Sequence, residues 1–539
     1  MSRKGVFYKT IAFILVFCLG LSSYTRFATA ASMQDIRVGL ANFYEDKSTL
    51  KIKTTKIGLG YSINNSYYCD EIFDSSNGFL FQPARGQFYI INENYQTYAK
   101  AMSIVEEIRA YGVSSYPVSI YRNHWKIYIS AETDSDQQNQ TLKTMKEKLG
   151  ITYQGPSKDN GHRLMVVGDN LTFLYDGKIN NAYPQFKAIN GNSSKVMVLD
   201  LGARQYRGRI EIGRYGKQSL TAVNIIHVES YLYGVVPGEM VSSWPTQALK
   251  AQAVCARSFA LSKTDYSSDS NIEKAFSLDD TSNSQVYKGY GGETVATNAA
   301  VNSTKGEVVT YQGKIIASYY YSTSGGRTED STDVWGMNAP YLASVVDNYE
   351  SEPEKAPWVI AMSKAEIAQK LMEAGYGVGT VDKVLAEIAT KSGRVYSLKV
   401  VGKDRTQVIQ SQEIRDVFDL YSTKFKVISS KDKTNQVSVL SADGISKVNL
   451  KDCTVISQEG KLTSLSNTDN RIYIAKSSDN LSAFVKETPG NKDVYFFVGM
   501  GFGHGVGMSQ SGAKGMAMAG YSYQKIIQYY YKGCYVKKI

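Results

Sequence analysis

One carboxylate and two cations stand at spacings that chemistry can use. Glu239 closes an apolar, aromatic run, Tyr231-Leu-Tyr-Gly-Val-Val-Pro-Gly, and Lys250 and Arg257 follow on an alanine-rich segment. A glutamate on an apolar turn is desolvated, which favours its protonated form, so it could donate a proton to an oxygen. Lys250 and Arg257 are seven residues apart, two helical turns, and so share a face that could hold a polar ligand. Both could equally be long side chains that cover a core helix with their stems. The segment reads as a helix over 245–263. Ser242 or Ser243 can cap it, and Pro245 suits a first turn, where no backbone donor is needed. Alanines at 248, 251, 253, 256 and 260 give high helix propensity and admit a close neighbour. Leu249, Ala253, Ala256 and Ala260 form the inward stripe.

The stretch from Glu229 to Leu261 runs Glu-Ser-Tyr-Leu-Tyr-Gly-Val-Val-Pro-Gly-Glu239-Met, then Trp244-Pro-Thr-Gln-Ala-Leu-Lys-Ala-Gln-Ala-Val-Cys-Ala-Arg257-Ser-Phe-Ala. It resembles the SpoIID/LytB family, named for stage II sporulation protein D and the amidase enhancer LytB. Gln247 stands in place of the usual Glu, and Cys255 in place of the usual Ala. The resemblance implies a lytic transglycosylase acting on peptidoglycan glycan strands stripped of their stem peptides. It assigns the acid/base to Glu239, on the Val-Val-Pro-Gly-Glu-Met turn, and substrate binding to Lys250 and Arg257. Glu229, also a family position, reads as structural.

Three further segments continue the resemblance. Asp279-Asp-Thr-Ser-Asn-Ser-Gln285-Val-Tyr287-Lys-Gly289 is similar to a family loop, and Asp280, Gln285 and Tyr287 read as loop architecture. Ser322-Thr-Ser-Gly-Gly-Arg327-Thr-Glu329 through Val334-Trp335 is similar to another. Tyr321 stands there where many members have His, and Ser324 where some have Cys, so a metal site built from those positions cannot form. The third is Gly499-Met-Gly-Phe-Gly-His504-Gly-Val-Gly-Met-Ser509-Gln510-Ser-Gly-Ala513. Its glycines allow tight turns or close approach to a ligand, and a helix beginning at Ser509 offers free amides. His504 could touch substrate or orient the loop; Ser509 and Gln510 are candidate sugar ligands. A Gly-rich phosphate loop is a poor reading, because His504 occupies the place of its last glycine and no lysine follows.

A transglycosylase needs one carboxyl. It protonates the leaving glycosidic oxygen, then serves as base while the muramyl C6 hydroxyl attacks C1, so the second carboxylate of a two-carboxylate hydrolase is not required. Glu239 should then have a raised pKa, which burial among Tyr233, Val235, Val236 and Met240 would supply. No cofactor is implied. Two other functions fit the same residues: a non-catalytic, glycan-binding activator of a cell-wall amidase, and a hydrolase that uses water. The implied partners are peptidoglycan glycan strands and a cell-wall amidase or other sporulation wall-hydrolysis protein.

Composition agrees with an extracytoplasmic setting. Arg3, Lys4 and Lys9 precede the apolar run Ile11 to Leu21, and Ala28-Thr-Ala30 is a small-residue cleavage site, so residues 1–30 read as a signal peptide. The protein is expected to be secreted or wall-associated, or held at the membrane if that segment is retained. The formal charge of +11 falls to +7 without residues 1–30, which carry four cations and no acid. That excess favours an anionic wall or membrane surface and is too diffuse for nucleic acid. The cysteines at 69, 255, 453 and 534 lie far apart with no Cys-x-x-Cys pair, so zinc is unsupported and three disulfide pairings stay open. Cys255, in the alanine-rich helix, reads as a small buried residue.

The length of 539 residues fits two to four domains. Residues 31–83 and 156–215 read as a strand-rich N-terminal region, with strands such as Val196-Met-Val-Leu. Residues 84–155 follow the order βαββαβ, ferredoxin-like. They resemble SPOR domains, which bind denuded glycan, and read as a separate insertion. Residues 216–427 form the expected mixed α/β catalytic core, with a helix over 293–306 and a hairpin of 308–311 with 315–321. A β-rich insertion over 428–495 and the C-terminal part of the core, 496–539, complete an α+β fold closed by the Gly-rich motif.

Overall fold

The computed structural model describes residues 35–63, 66–131, 135–178, 183–189, 196–263, 276–350, 357–429 and 494–539, and the backbone alone of six strands between 436 and 485. The signal segment 1–30 and Cys453 lie outside the described residues. The fold is α+β, as expected.

Two sheets build the N-terminal part. One has seven strands, in the order Leu278–Asp279, Asp35–Gly39, Thr221–His227, Arg209–Gly213, Gln185–Ala188, Lys56–Ile63 and Ser66–Asp74. Asp35–Gly39 pairs antiparallel with Thr221–His227, Ile36 opposite Ile226. That pairing delivers the chain to the helix that bears Glu239. The second sheet has eight strands: Leu50–Ile52, Phe79–Pro83, Arg163–Val167, Thr172–Asp176, Ser115–Tyr121, His124–Ser130, Phe88–Ile91 and Tyr153–Ser157.

Residues 88–157 do follow the order strand, helix Tyr98–Arg109, two strands, helix Ser135–Leu149, strand. Their strands continue the sheet of the region around them. Thr172–Asp176 pairs in parallel with Ser115–Tyr121, Leu174 opposite Val118, so one sheet runs from the N-terminal strands into this unit. Val105, Ile108 and Trp125 share a core with Ile52, Phe79 and Phe173. The cause is visible in Ser115–Tyr121, whose central residues are almost continuously buried, the pattern of a strand covered on both faces. Two expected strands shrink. Only Leu199–Asp200 remains of the run at 196–199, and Val196 and Met197 are exposed. Lys314–Ile315 closes the hairpin on Glu307–Tyr311, while Tyr320–Tyr321 leaves it to pair with Met508–Ser509.

Five helices surround the expected site: α1 (Val228–Glu239), α2 (Thr246–Lys263), α3 (Val295–Ser303), α4 (Gln510–Met518) and α5 (Tyr523–Tyr530). The expected turn before Glu239 is thus a helix. His227 caps it, its Nδ1 accepting the Glu229 amide at 3.2 Å. Pro237 lies within its last turn. Helix α2 packs against α1, α3, α4, α5 and the strand Glu307–Tyr311. It is therefore buried on almost every side between Ala248 and Leu261, rather than along one stripe, and its alanines are what let so many neighbours approach. Its start is closed by the Pro245 carbonyl, which accepts the Leu249 amide at 3.2 Å, and not by a serine.

The expected core 216–427 divides in two. Met362, Ile367, Leu398, Val400, Phe418 and Phe497 belong to a second hydrophobic cluster, distinct from the one around α2. Strand Val494–Gly499 lies between Trp358–Ser363 and Phe425–Ser429 and carries the Gly-rich motif back towards the first cluster. The region expected as a β-rich insertion contains three two-stranded hairpins.

Candidate active site

Glu239 is the last residue of α1 and partly exposed. Its Oε1 accepts the Val286 amide at 2.7 Å, and its Oε2 accepts Gln510 Nε2 at 3.1 Å. The nearby Tyr320 side chain also acts on the carboxylate, favouring its charged form. Burial pushes the Glu239 carboxyl above its ordinary range, against the pull of the Val286 amide, Gln510, Tyr320 and the charge of Lys288. Its place at a helix C-terminus works in the same direction as burial, since that end of the helix dipole repels an anion.

Four segments distant in sequence meet here. Gly238 admits the loop of Val286, because a Cβ at 238 would lie 2.2 Å from the Val286 carbonyl oxygen. Gly507, at φ +81°, admits the strand of Tyr320: a Cβ there would fall 2.0 Å from the Tyr319 oxygen. Thr323 and Phe502 exchange backbone hydrogen bonds at 3.1 and 2.9 Å, and the Glu329 amide donates to the Gly505 oxygen at 2.7 Å. The two glycine-rich motifs are thereby stitched together beside Glu239.

Of the expected ligands, Gln510 alone touches Glu239. Arg257 is fully buried and clamps Glu229, Nε to Oε1 at 2.8 Å and Nη2 to Oε2 at 2.7 Å, while Nη1 donates to the Glu307 carbonyl. The Gly306 amide completes Glu229 at 3.1 Å. Arg257 thus ties α1 to α2 and α3 and presents nothing to a substrate, a correction to its expected role. Ser509 is corrected likewise. It is buried, its hydroxyl donates to Glu350 Oε1 at 2.7 Å, and it caps α4 by accepting the Gly512 amide at 3.0 Å. Glu350 also accepts the amides of Ser324 and Gly325, so Ser509 helps hold the two motifs together.

His504 orients its loop. Nδ1 accepts the Val506 amide at 3.1 Å, which leaves Nε2 to donate to the Tyr320 carbonyl at 3.1 Å. Its ring packs among Tyr319, Tyr321 and Trp335, and burial lowers its pKa to about 3, so it stays neutral and both nitrogens are used internally. Lys250 is partly exposed, its ammonium 5.9 Å from the centre of the Tyr523 ring. The cation acting on Glu239 is Lys288, which also donates to the Pro237 carbonyl at 3.3 Å.

Sequence reasoning missed Val286, Tyr320 and Lys288. Val286 and Lys288 lie inside a loop that the sequence did mark, but Val286 acts through its backbone amide, which no side-chain pattern reveals. Gln285, read as loop architecture, in fact joins Tyr320 to the protein interior. Cys69, Cys255 and Cys534 are free thiols, the last two buried. No described helix is long and apolar enough to cross a membrane.

A family model described as Stage II sporulation protein matches residues 216–311. Those residues carry α1, α2, the Gln285–Val286 loop and the strand Glu307–Tyr311. The Amidase enhancer of Bacillus subtilis (strain 168) is 31% identical over 303 residues, 56% of this chain and 39% of that protein. An uncharacterized protein of Brachyspira hyodysenteriae is 30% identical over 336 residues, 62% of this chain and 72% of that protein. Stage II sporulation protein D of the same Bacillus strain is 28% identical over 340 residues, 61% and 79% respectively. The chain thus spans well under half the length of the amidase enhancer it matches. Family model and named relatives agree with the motifs: the chain belongs to the SpoIID/LytB family.

Proposed function

We propose that the chain is a peptidoglycan lytic transglycosylase, cleaving the bond between N-acetylmuramic acid and N-acetylglucosamine to leave a 1,6-anhydro end. The observation that carries this reading is the setting of Glu239: a partly exposed carboxyl whose pKa burial raises and whose hydrogen-bonded neighbours are a backbone amide and a carboxamide, neither of them a carboxylate. A hydrolase that activates water classically divides acid and base between two carboxyls. Here one group serves in turn. Glu239 gives its proton to the leaving glycosidic oxygen. As carboxylate, held by the Val286 amide and Gln510, it then takes the proton of the muramyl C6 hydroxyl as that oxygen closes on C1. Lys250 and Gln510 are the proposed sugar-contacting side chains that remain, and the wall or its outer surface is the proposed location. Residues 84–155 are proposed to add affinity for denuded strands.

The second reading, a glycan-binding activator of an amidase, is favoured by the name of the 31% identical relative. Denuded glycan strands incubated with the wild type and Glu239→Gln separate the two. Mass spectrometry should find anhydromuramyl ends from the wild type and a loss of about 10²–10⁴-fold in the variant. Reducing ends would mean a hydrolase. No cleavage by either, with strands still bound, would leave the activator.

A further inference from the structure

The loop 285–289 lies directly on α1. Gly234 and Gly238, about one helical turn apart, leave it room. A Cβ at 234 would fall 2.6 Å from the Tyr287 ring and 2.9 Å from the Gly289 carbonyl oxygen. The Gly234 carbonyl accepts the Lys288 amide at 3.1 Å, and the Val286 amide donates to Glu239 at 2.7 Å, so the loop is pinned at both points. Lys288 is thereby held beside Glu239 from two directions. Along the loop it follows Val286 by two residues. Across the loop its ammonium donates at 3.3 Å to the carbonyl of Pro237, two residues before Glu239. The side chain is exposed. The other cations near the loop are spent on carboxylates: Arg204 on Asp280 at 3.3 Å, and Arg207 on Glu293 at 2.5 and 2.8 Å. Lys288 is in no ion pair among the described residues, and a carbonyl oxygen does not neutralise a full charge.

We infer that Lys288 is a specificity-determining residue, whose ammonium receives the free lactyl carboxylate of the muramyl unit at the scissile bond. This rests on the reading of the ligand as peptidoglycan glycan. The two sugars of that strand alternate and share most of their surface. They differ in the lactyl ether on the muramyl C3, which N-acetylglucosamine lacks. Its carboxyl is an uncharged amide where a stem peptide is attached and an anion where the peptide is gone. One unneutralised cation beside the acid therefore does two things. It sets the register of the strand, bringing the muramyl rather than the glucosaminyl C1 to Glu239. It also favours strands without stem peptides.

The test uses the full chain carrying Glu239→Gln, so that binding is read without cleavage. Its ligands are a denuded tetrasaccharide and the same tetrasaccharide with its lactyl carboxyls converted to methylamides. Calorimetry should find the acid bound about fivefold more tightly than the amide. Adding Lys288→Met should bring the acid down to the amide and leave the amide where it was, while Lys288→Arg should keep the preference. Added salt should shrink it. Equal weakening of both ligands by Lys288→Met would overturn the assignment, because the ammonium would then serve only to close the C-terminal end of α1, where the helix dipole favours a cation. A preference that survives Lys288→Met would overturn it as well. The comparison of the two ligands does not depend on Lys288→Met folding, and equal affinities there would also count against the assignment. If the preference follows Lys288 but the chain with Glu239 intact cleaves no glycan, the subsite stands and the enzyme reading fails.

Discussion

Helix α1 carries a glutamate at each end, and the two have opposite surroundings. Glu229, in the first turn, is buried and held in a two-pronged ion pair by Arg257, with the Gly306 amide behind it. Glu239, at the last residue, is partly exposed and has a backbone amide and a carboxamide as donors in place of an ion pair. The helix dipole favours a negative charge at the first turn and opposes one at the last. So one residue type on one helix does two jobs. Where a charge is neutralised and enclosed, it fixes three elements in place. Where it is desolvated without an ion-pair partner and left reachable, it can exchange a proton.

The largest effect that would sharpen this contrast is on stability. Arg257→Ala leaves Glu229 a buried, unpaired charge, and breaking such a pair costs about 3–5 kcal/mol. Urea unfolding should show that loss, while the fraction still folded binds denuded glycan as the wild type does. A variant of unchanged stability that binds glycan poorly would return Arg257 to the role of a ligand and break the comparison.

A smaller effect tests the other end of the helix. The pKa of Glu239 is raised in the fold by burial. Its contribution to stability is therefore fully present below the unfolded-state value of about 4.3 and is lost as pH rises through the folded value. Glu239→Gln keeps the shape and removes the ionisation. Its melting temperature should match the wild type near pH 4 and exceed it by a few degrees at most near pH 8. A variant that grows steadily less stable than the wild type with rising pH would mean that the carboxylate is held as firmly as Glu229.

This contrast also explains what could be read from the residues alone. The helix after Glu239 was legible because propensity, apolar spacing and motif all pointed one way. The α+β class and the βαββαβ order were legible for the same reason. Arg257 and Lys250 were not separable, since two cations on one face look alike until the neighbours of α2 are known, and those come from residues 295–309 and 510–530. Ser509 and His504 could not be settled from sequence, because a hydroxyl or imidazole in a glycine-rich loop serves equally well as a ligand or as a clasp. Tyr320 was passed over for its neighbour Tyr321, although pairing of Tyr320–Tyr321 with Met508–Ser509 sets both beside the Gly-rich motif. The continuity of the eight-stranded sheet was hidden because Leu174 opposite Val118 is a contact across 56 residues that no local pattern encodes.

The smallest expected effect separates the two cations of α2. Lys250 is partly exposed, against the Tyr523 ring, so Lys250→Ala should cost no more than about 1 kcal/mol of stability. As a proposed contact to an anionic glycan it acts through solvent, where one ion pair is worth about 0.2–1 kcal/mol. Binding of denuded strands should weaken by about fivefold at most, and Lys250→Arg should restore it. Added salt should shrink the difference, because the Debye length falls from about 10 Å at 0.1 M to about 3 Å at 1 M. A stability loss as large as that of Arg257→Ala would place Lys250 with the buried clamp, and the two cations of α2 would no longer differ in kind.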